Sequence, residues 1–204
     1  MKRCAGRRRL LWAMRRFVLA SALAGPAFAA PPPTAADPGL DGVLAALAQR
    51  RHGHASFEQW QYLALLDRPL QSSGELIYDA PDRLEMRTLK PRPEDLIVQG
   101  NRLTVARGRH QRALDLRQYP QLQPFVGSIR ATLAGDRPAL EQLFTLAFAG
   151  GFEHWTMVLT PLPPLAAAVT QIRIEGRQDQ VDSVDTAQAD GDHSHLSIGP
   201  APGP

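Results

Sequence analysis

The stretch Ser73-Gly74-Glu75-Leu76-Ile77-Tyr78-Asp79-Ala80-Pro81-Asp82-Arg83-Leu84-Glu85-Met86-Arg87-Thr88 decides the fold class. Over residues 70–78 the side chains alternate, with Leu76 and Tyr78 on one face. Over 83–89 they alternate again, with Leu84, Met86 and Thr88 on one side and Arg83, Glu85 and Arg87 on the other. A period of two with one apolar and one charged side is the pattern of a half-buried strand. Strands that keep one face wet belong to antiparallel sheets, not to parallel crossover units.

The same pattern extends in both directions. Residues 55–66 form a long, aromatic-rich strand that ends at the turn Asp67-Arg68-Pro69. Residues 95–99 and 102–106 flank Gly100-Asn101, a hairpin signal, and Gly108 leads into a strand over 110–116. Upstream, Asp37 caps a helix with Pro38 in its first turn. Leu40, Val43, Leu44 and Leu47 give that helix one apolar face, and Arg50-Arg51-His52 closes it before Gly53. At residue 120 the period changes. Leu122, Phe125, Val126, Ile129 and Leu133 recur at helical spacing up to Gly135. Asp136 and Pro138 then open a helix expected to run over 137–149, carrying Leu140, Leu143, Phe144 and Ala147 and stopped by Gly150-Gly151. Strands return at 152–160, 170–176, 180–187 and 194–198. Trp155, Met157 and Leu159 share one face of the first, and Ile172 and Ile174 share one face of the second. A sheet of about ten strands curls or closes. Three amphipathic helices are available to cover its apolar face.

Length and composition agree with one domain. The chain has 204 residues, 44% of them hydrophobic and 21% charged, which excludes a disordered acidic tail and an all-membrane protein. One cysteine excludes a disulfide framework and a cysteine-rich zinc module. The net charge of +3 belongs to the first 29 residues. They hold Lys2, Arg3, Arg7, Arg8, Arg9, Arg15 and Arg16 and no acid, so the remainder carries 16 basic against 20 acidic residues. No basic surface for nucleic acid is expected on the rest of the chain.

Residues 1–29 read as a signal peptide: a basic region, the apolar run Phe17–Leu23, and Ala27-Phe28-Ala29 as a cleavage signature after Ala29. The apolar run is far short of the roughly 20 residues that span a bilayer. Met14-Arg15-Arg16 is itself a good signal start, so Met14 is expected to be the initiator. Cleavage removes Cys4 and leaves an exported, periplasmic protein without cysteine. Residues 30–36 are a Pro-rich spacer, 37–198 a single domain, and 199–204 a disordered tail.

No arrangement of residues requires catalysis. His52-Gly53-His54 reads as a helix end leading into a strand. Asp190-Gly191-Asp192-His193-Ser194-His195 reads as a polar turn, because the remaining ligands of a calcium loop are missing. Ser72-Ser73-Gly74 has no nucleophile-elbow context, and no glycine-rich phosphate loop is present. His110 and His154 alternate with apolar neighbours and read as ordinary histidines. No enzyme activity, cofactor or metal site is expected. What remains is a set of apolar strand and helix positions that reads equally as plain core or as the lining of a hydrophobic cavity.

The order of several short motifs resembles a known family. These are Phe57-Glu58-Gln59, then Ser73-Gly74-Glu75-Leu76-Ile77-Tyr78, then Ala80-Pro81-Asp82-Arg83-Leu84-Glu85-Met86, then Gln99-Gly100-Asn101-Arg102-Leu103. With Ile129–Asp136 and Leu140–Phe144 they resemble a divergent subgroup of the periplasmic outer-membrane lipoprotein carriers (LolA-like), over residues 40 to 198. The resemblance implies an α+β fold: a curved antiparallel sheet forming an incomplete β-barrel, covered by about three helices enclosing a hydrophobic cavity. It implies a carrier of acylated lipoprotein or another lipid, with an inner-membrane donor complex and an outer-membrane acceptor, and a monomer is expected. Family carriers have Arg at the position of Ala80, where it helps hold the lid shut, Phe at that of Leu84 and Trp at that of Met86. This chain lacks that arginine, and its cargo class stays open.

The lining expected from the sheet is Leu76, Tyr78, Leu84, Met86, Leu103 and Val105, together with Trp155, Met157, Leu159, Ile172 and Ile174. The helices at 120–134 and 137–149 form the movable side, with Phe125, Ile129, Leu133 and Phe144. The alternative reading is a lipid-binding sensor or structural protein of the same fold that binds without transferring. An enzyme acting on a lipid with groups around Asp190–His195 is a third.

Overall fold

Four apolar side chains at helical spacing anchor the first element. In α1 (Pro38–Gln49), Leu40, Val43, Leu44 and Leu47 are all buried, as the i, i+3, i+4, i+7 pattern predicts. The computed structural model describes residues 38–118, 123–163 and 165–201. The expected leader, spacer, Asp37 cap, helix start at 120–122 and last tail residues lie outside the described residues, as does the side chain of Phe125.

Six strands follow: β1 (His52–Tyr62), β2 (Leu70–Asp79), β3 (Arg83–Lys90), β4 (Glu94–Gln99), β5 (Arg102–Arg107) and β6 (His110–Asp115). Two helices come next, α2 (Gln123–Ala134) and the short α3 (Arg137–Glu141). Five more strands complete the chain: β7 (Phe144–Gly151), β8 (His154–Pro161), β9 (Val169–Arg177), β10 (Gln180–Gln188) and β11 (His193–Gly199).

All eleven strands form one antiparallel sheet in the order β6-β5-β4-β3-β2-β1-β11-β10-β9-β8-β7. Every neighbouring pair is consecutive in sequence except β1 and β11, where the two ends of the strand series meet, Phe57 opposite Ile198. The sheet is therefore an unclosed, curved barrel wall with edges at β6 and β7, and the chain crosses from one edge to the other through α2 and α3. The β2–β3 register shifts at Ser73/Gly74, and such irregularities increase local twist. A side-chain carbon on Gly74 would collide with the Arg87 carbonyl, so only glycine fits there.

One expectation is corrected. Residues 137–149 are not a helix: α3 stops at Glu141 and Phe144 begins a strand. Asp136 caps α3 as expected, its Oδ1 accepting from Ala139 N–H at 3.0 Å. Leu140, Leu143, Phe144 and Ala147 fit a helical period. Phe144, Leu146 and Phe148 fit a period of two equally well, and a short apolar run does not separate the templates. Pairing decides it, with Phe144 opposite Pro161 and Gly150 opposite Trp155. Among the described residues the strands thus number eleven, one more than expected.

The core lies between α1 and one end of the sheet. Leu40, Val43, Leu44 and Leu47 pack with Phe144 and Leu146 of β7, Trp155, Met157 and Leu159 of β8, and Ile172 and Ile174 of β9. Each fully buried side chain of this size contributes roughly 1.5–3 kcal/mol. Ala131 and Leu140 bring α2 and α3 into the same cluster. Gly135, at a φ of +64°, ends α2 so closely against the Leu44 carbonyl that a side chain would collide. Ion pairs trim the edges: Arg137 bridges Asp41 and Glu141 at 2.8 and 2.7 Å, and Arg50 meets Asp179 at 2.9 Å.

Candidate functional site: the apolar inner wall

The strand registers sort every side chain to one of two faces. The outer face carries most of the charged side chains, with Ile77 and Ile97 flanking Glu85. Glu85 is buried there between Arg83 and Arg87, each at 2.7 Å. Glu75 lies within 3.5 Å of Arg87 and 3.3 Å of His54, and His52 contacts Asp79 at 3.0 Å. A carboxylate buried with two guanidiniums is satisfied, which makes this cluster a brace across β2 and β3.

The inner face carries most of the apolar strand side chains, with polar residues such as Gln59, Ser72 and Arg112 also on it. On the half formed by β2 to β6, one cross-strand row runs Tyr78–Leu84–Val98–Leu103–Leu114. The next runs Leu76–Met86–Leu96–Val105. Tyr78 is buried, and burial raises its phenol pKa, with Arg51 opposing. All the other members of both rows are half-buried, and none belongs to the core cluster. Ile198 and Leu196 on β11 and Val184 on β10 continue this face, again half-buried.

The expected lining residues thus fall into two groups. Trp155, Met157, Leu159, Ile172, Ile174 and Phe144 are at most 8% exposed and packed against α1. Trp155 also spends its Nε1–H on the Gln178 carbonyl at 3.0 Å. Leu76, Tyr78, Leu84, Met86, Leu103 and Val105 lie together on the other half of the same face. On α2, Leu133 is half-buried and Ile129 is 51% exposed. Leu96, Val98, Leu114, Val184, Leu196 and Ile198 lie on this face as well, beyond the lining expected from sequence. The run Leu96-Ile97-Val98 hides its alternation, and only the pairing of Leu96 with Met86 and Val98 with Leu84 assigns the faces.

Helix α2 is tied to one rim of this wall. The Arg130 guanidinium donates to the carbonyl of Gly100 in the β4–β5 turn and lies 3.4 Å from the carbonyl of Asp82 in the β2–β3 turn. Ala80 occupies that second turn, its N–H donating to the Arg51 carbonyl at 2.8 Å. A guanidinium therefore reaches this rim from the helix and not from position 80.

Two histidines lie together at the start of β11. The His193 ring stacks on Tyr62 at 4.5 Å, and His195 Nδ1 sits 2.6 Å from Asp185. Among the described residues no group of three or more His, Cys, Asp or Glu is placed to hold a metal ion. No helix among them is long and apolar enough to cross a membrane.

Comparison with known proteins places these features in context. Residues 29–202 match the family described as outer membrane lipoprotein carrier protein LolA-like. Among solved structures, a LolA superfamily protein from Nitrosomonas europaea aligns over 81% of this chain and 95% of its own, at 9% identity and a TM-score of 0.43. The Pseudomonas aeruginosa MucA/MucB complex aligns over 80% of this chain and 58% of that chain, at 13% identity and a TM-score of 0.42. LprF from Mycobacterium bovis aligns over 82% and 96%, at 10% identity and a TM-score of 0.36. No curated protein matches.

Proposed function

The chain belongs to the LolA-like family of outer membrane lipoprotein carrier proteins, and from that premise we propose that it is a periplasmic carrier of acyl chains, exported by its cleaved leader. It takes a lipoprotein or another lipid from an inner-membrane donor and passes it to an outer-membrane acceptor. The observation that supports this reading is the half-buried apolar wall of β2 to β6. Its two cross-strand rows lie beside a complete core without being part of it.

The physical requirement is simple. Each methylene brought out of a bilayer into water costs about 0.8 kcal/mol. Cargo with several long chains therefore needs an apolar surface of comparable quality for its passage, and no better one, or release fails. Leu76, Leu84, Met86, Leu96, Leu103 and Val105 supply such a surface without polar groups. Methionine adapts to chains of varied shape. The buried side chains of β8 and β9 form the packed core beside this surface, and α2 is the side that moves. The role is one of binding and shielding, not of catalysis.

Uptake of a fluorescent fatty-acyl probe by the processed protein tests the reading, with Leu84→Glu and Met86→Glu as variants. Both variants are expected to keep the circular dichroism spectrum and lose uptake. Unchanged uptake by both would remove the wall from the account. Passage of labelled lipid from donor to acceptor vesicles then separates a carrier from a protein that binds and retains.

A further inference from the structure

Among the described residues eight large apolar side chains are exposed, and six of them share one rim of the sheet. Strands β1, β3, β5, β8 and β10 all end at this rim. Leu65 and Leu66 stand on the β1–β2 connection, Tyr62 and Leu70 at the strand ends that flank it, Leu89 at the end of β3, and Leu162 just past β8. The rim lies opposite the one that Arg130 holds.

The β1–β2 tip presents its leucines in a fixed geometry. Leu66 N–H donates to the Leu63 carbonyl at 2.9 Å, closing a turn. Ala64 N–H donates to Asp192 Oδ1 at 2.8 Å, pinning the tip to the β10–β11 turn. The Tyr62 ring is held by its stack on His193. Within this frame Leu65 is 87% exposed. Water-exposed apolar surface held rigidly outward marks a contact site.

Charge identifies the partner. Arg68, Lys90, Arg92 and Arg109 are exposed in the turns of the same rim, and none makes an ion pair with a described residue. Of the acids there, Glu94 pairs with Arg107, Asp192 accepts from Ala64 N–H and Asp190 from Asp192 N–H, while Asp67 stands exposed at the tip between Leu66 and Arg68. Leucines at a tip, a tyrosine behind them, and four cations without an ion pair at Arg68 and in the β3–β4 and β5–β6 turns of the same rim match a bilayer interface, where apolar groups enter the acyl boundary and cations meet headgroups. We propose that this rim docks onto an anionic lipid bilayer, with Leu65 and Leu66 inserted and Arg68, Lys90, Arg92 and Arg109 facing the lipid headgroups. This goes beyond the carrier reading and does not depend on it.

Co-sedimentation of the processed protein with vesicles tests the proposal. One set contains phosphatidylethanolamine with phosphatidylglycerol, the other phosphatidylcholine alone. The protein is expected to sediment with the anionic set, and more weakly as salt rises. Leu65→Glu is expected to lower the partition coefficient by about tenfold or more, the factor that burying one leucine supplies, while the melting temperature and acyl-probe uptake stay unchanged. Two results would overturn the proposal: no binding of the unaltered protein to anionic vesicles, or equal binding by Leu65→Glu. Concentration-dependent dimerisation that Leu65→Glu abolishes, without vesicle binding, would assign the rim to a second copy of the chain instead.

Discussion

Arg130, midway along α2, donates to the backbone carbonyl of Gly100 on the far side of the open wall. A charge-assisted bond of this kind is worth roughly 1.5–3 kcal/mol. Among the described side chains Ala131 is the member of α2 in the core cluster, and this latch adds a hold at the rim to that packing. Arg130→Met is expected to speed amide exchange across Gln123–Ala134 by about tenfold or more, leaving β8 and β9 amides unchanged. Equal acceleration in β8 and β9 would mean that Arg130 supports the whole fold. No acceleration would mean that it holds nothing.

Gly176 on β9 lies directly under the Trp155 indole, and a side-chain carbon there would collide with the ring. Trp155 cannot retreat, because it is 2% exposed and its indole N–H is bonded to Gln178. Gly176→Ala is therefore expected to destabilise by about 1–3 kcal/mol in urea unfolding. Gly151→Ala, with no atom within 4 Å, is the control and is expected to change little. Similar midpoints for the two variants would remove the packing argument.

How far the sequence could be read depends on whether a segment has one periodicity or two. Arg83–Thr88 has only a period of two, and its faces are as read, down to Glu85 on the charged side. Leu40–Leu47 has only a helical period, and α1 matches. Phe144–Ala149 has both, because alanines dilute the contrast between faces, and partner pairing decides. The split of the expected lining into packed core and open wall was equally out of reach. It depends on where α1 lies, and nothing local in Trp155 or Met157 distinguishes it from Leu84 or Met86.

The strand assignment of β7 makes its own prediction. Phe144 faces the core and Ala147 faces solvent, whereas a helix would put both on one side. Phe144→Ala is expected to cost about 3–5 kcal/mol, and Ala147→Lys less than about 0.5 kcal/mol. Chemical denaturation of both variants checks this, and comparable large losses would contradict the strand.

Tyr78 predicts the alkaline limb of stability. Burial raises its pKa above the ordinary 10.0, against a smaller lowering by Arg51. The folded state therefore keeps the phenol proton at a pH where the unfolded chain gives it up. The stability linked to this group is intact below the unfolded value and is lost as pH rises through the folded one. As pH rises above the ordinary 10.0, the unaltered protein should lose stability more steeply than Tyr78→Phe. Parallel curves from denaturant titrations would refute the linkage.

The two halves of the inner face predict opposite responses to the same change. Met157 is 1% exposed and surrounded by core side chains. A carboxylate there has no partner and no water, so Met157→Glu is expected to unfold the protein or cost at least about 3–5 kcal/mol. Leu84 and Met86 sit on the same face, but half-exposed. A carboxylate at either keeps access to water, and Leu84→Glu or Met86→Glu is expected to cost less than about 2 kcal/mol. Thermal melts of the three variants decide the matter. If Leu84→Glu and Met86→Glu unfold as readily as Met157→Glu, then β2 to β6 carry core and not an open wall, and the binding surface must be sought elsewhere on the molecule.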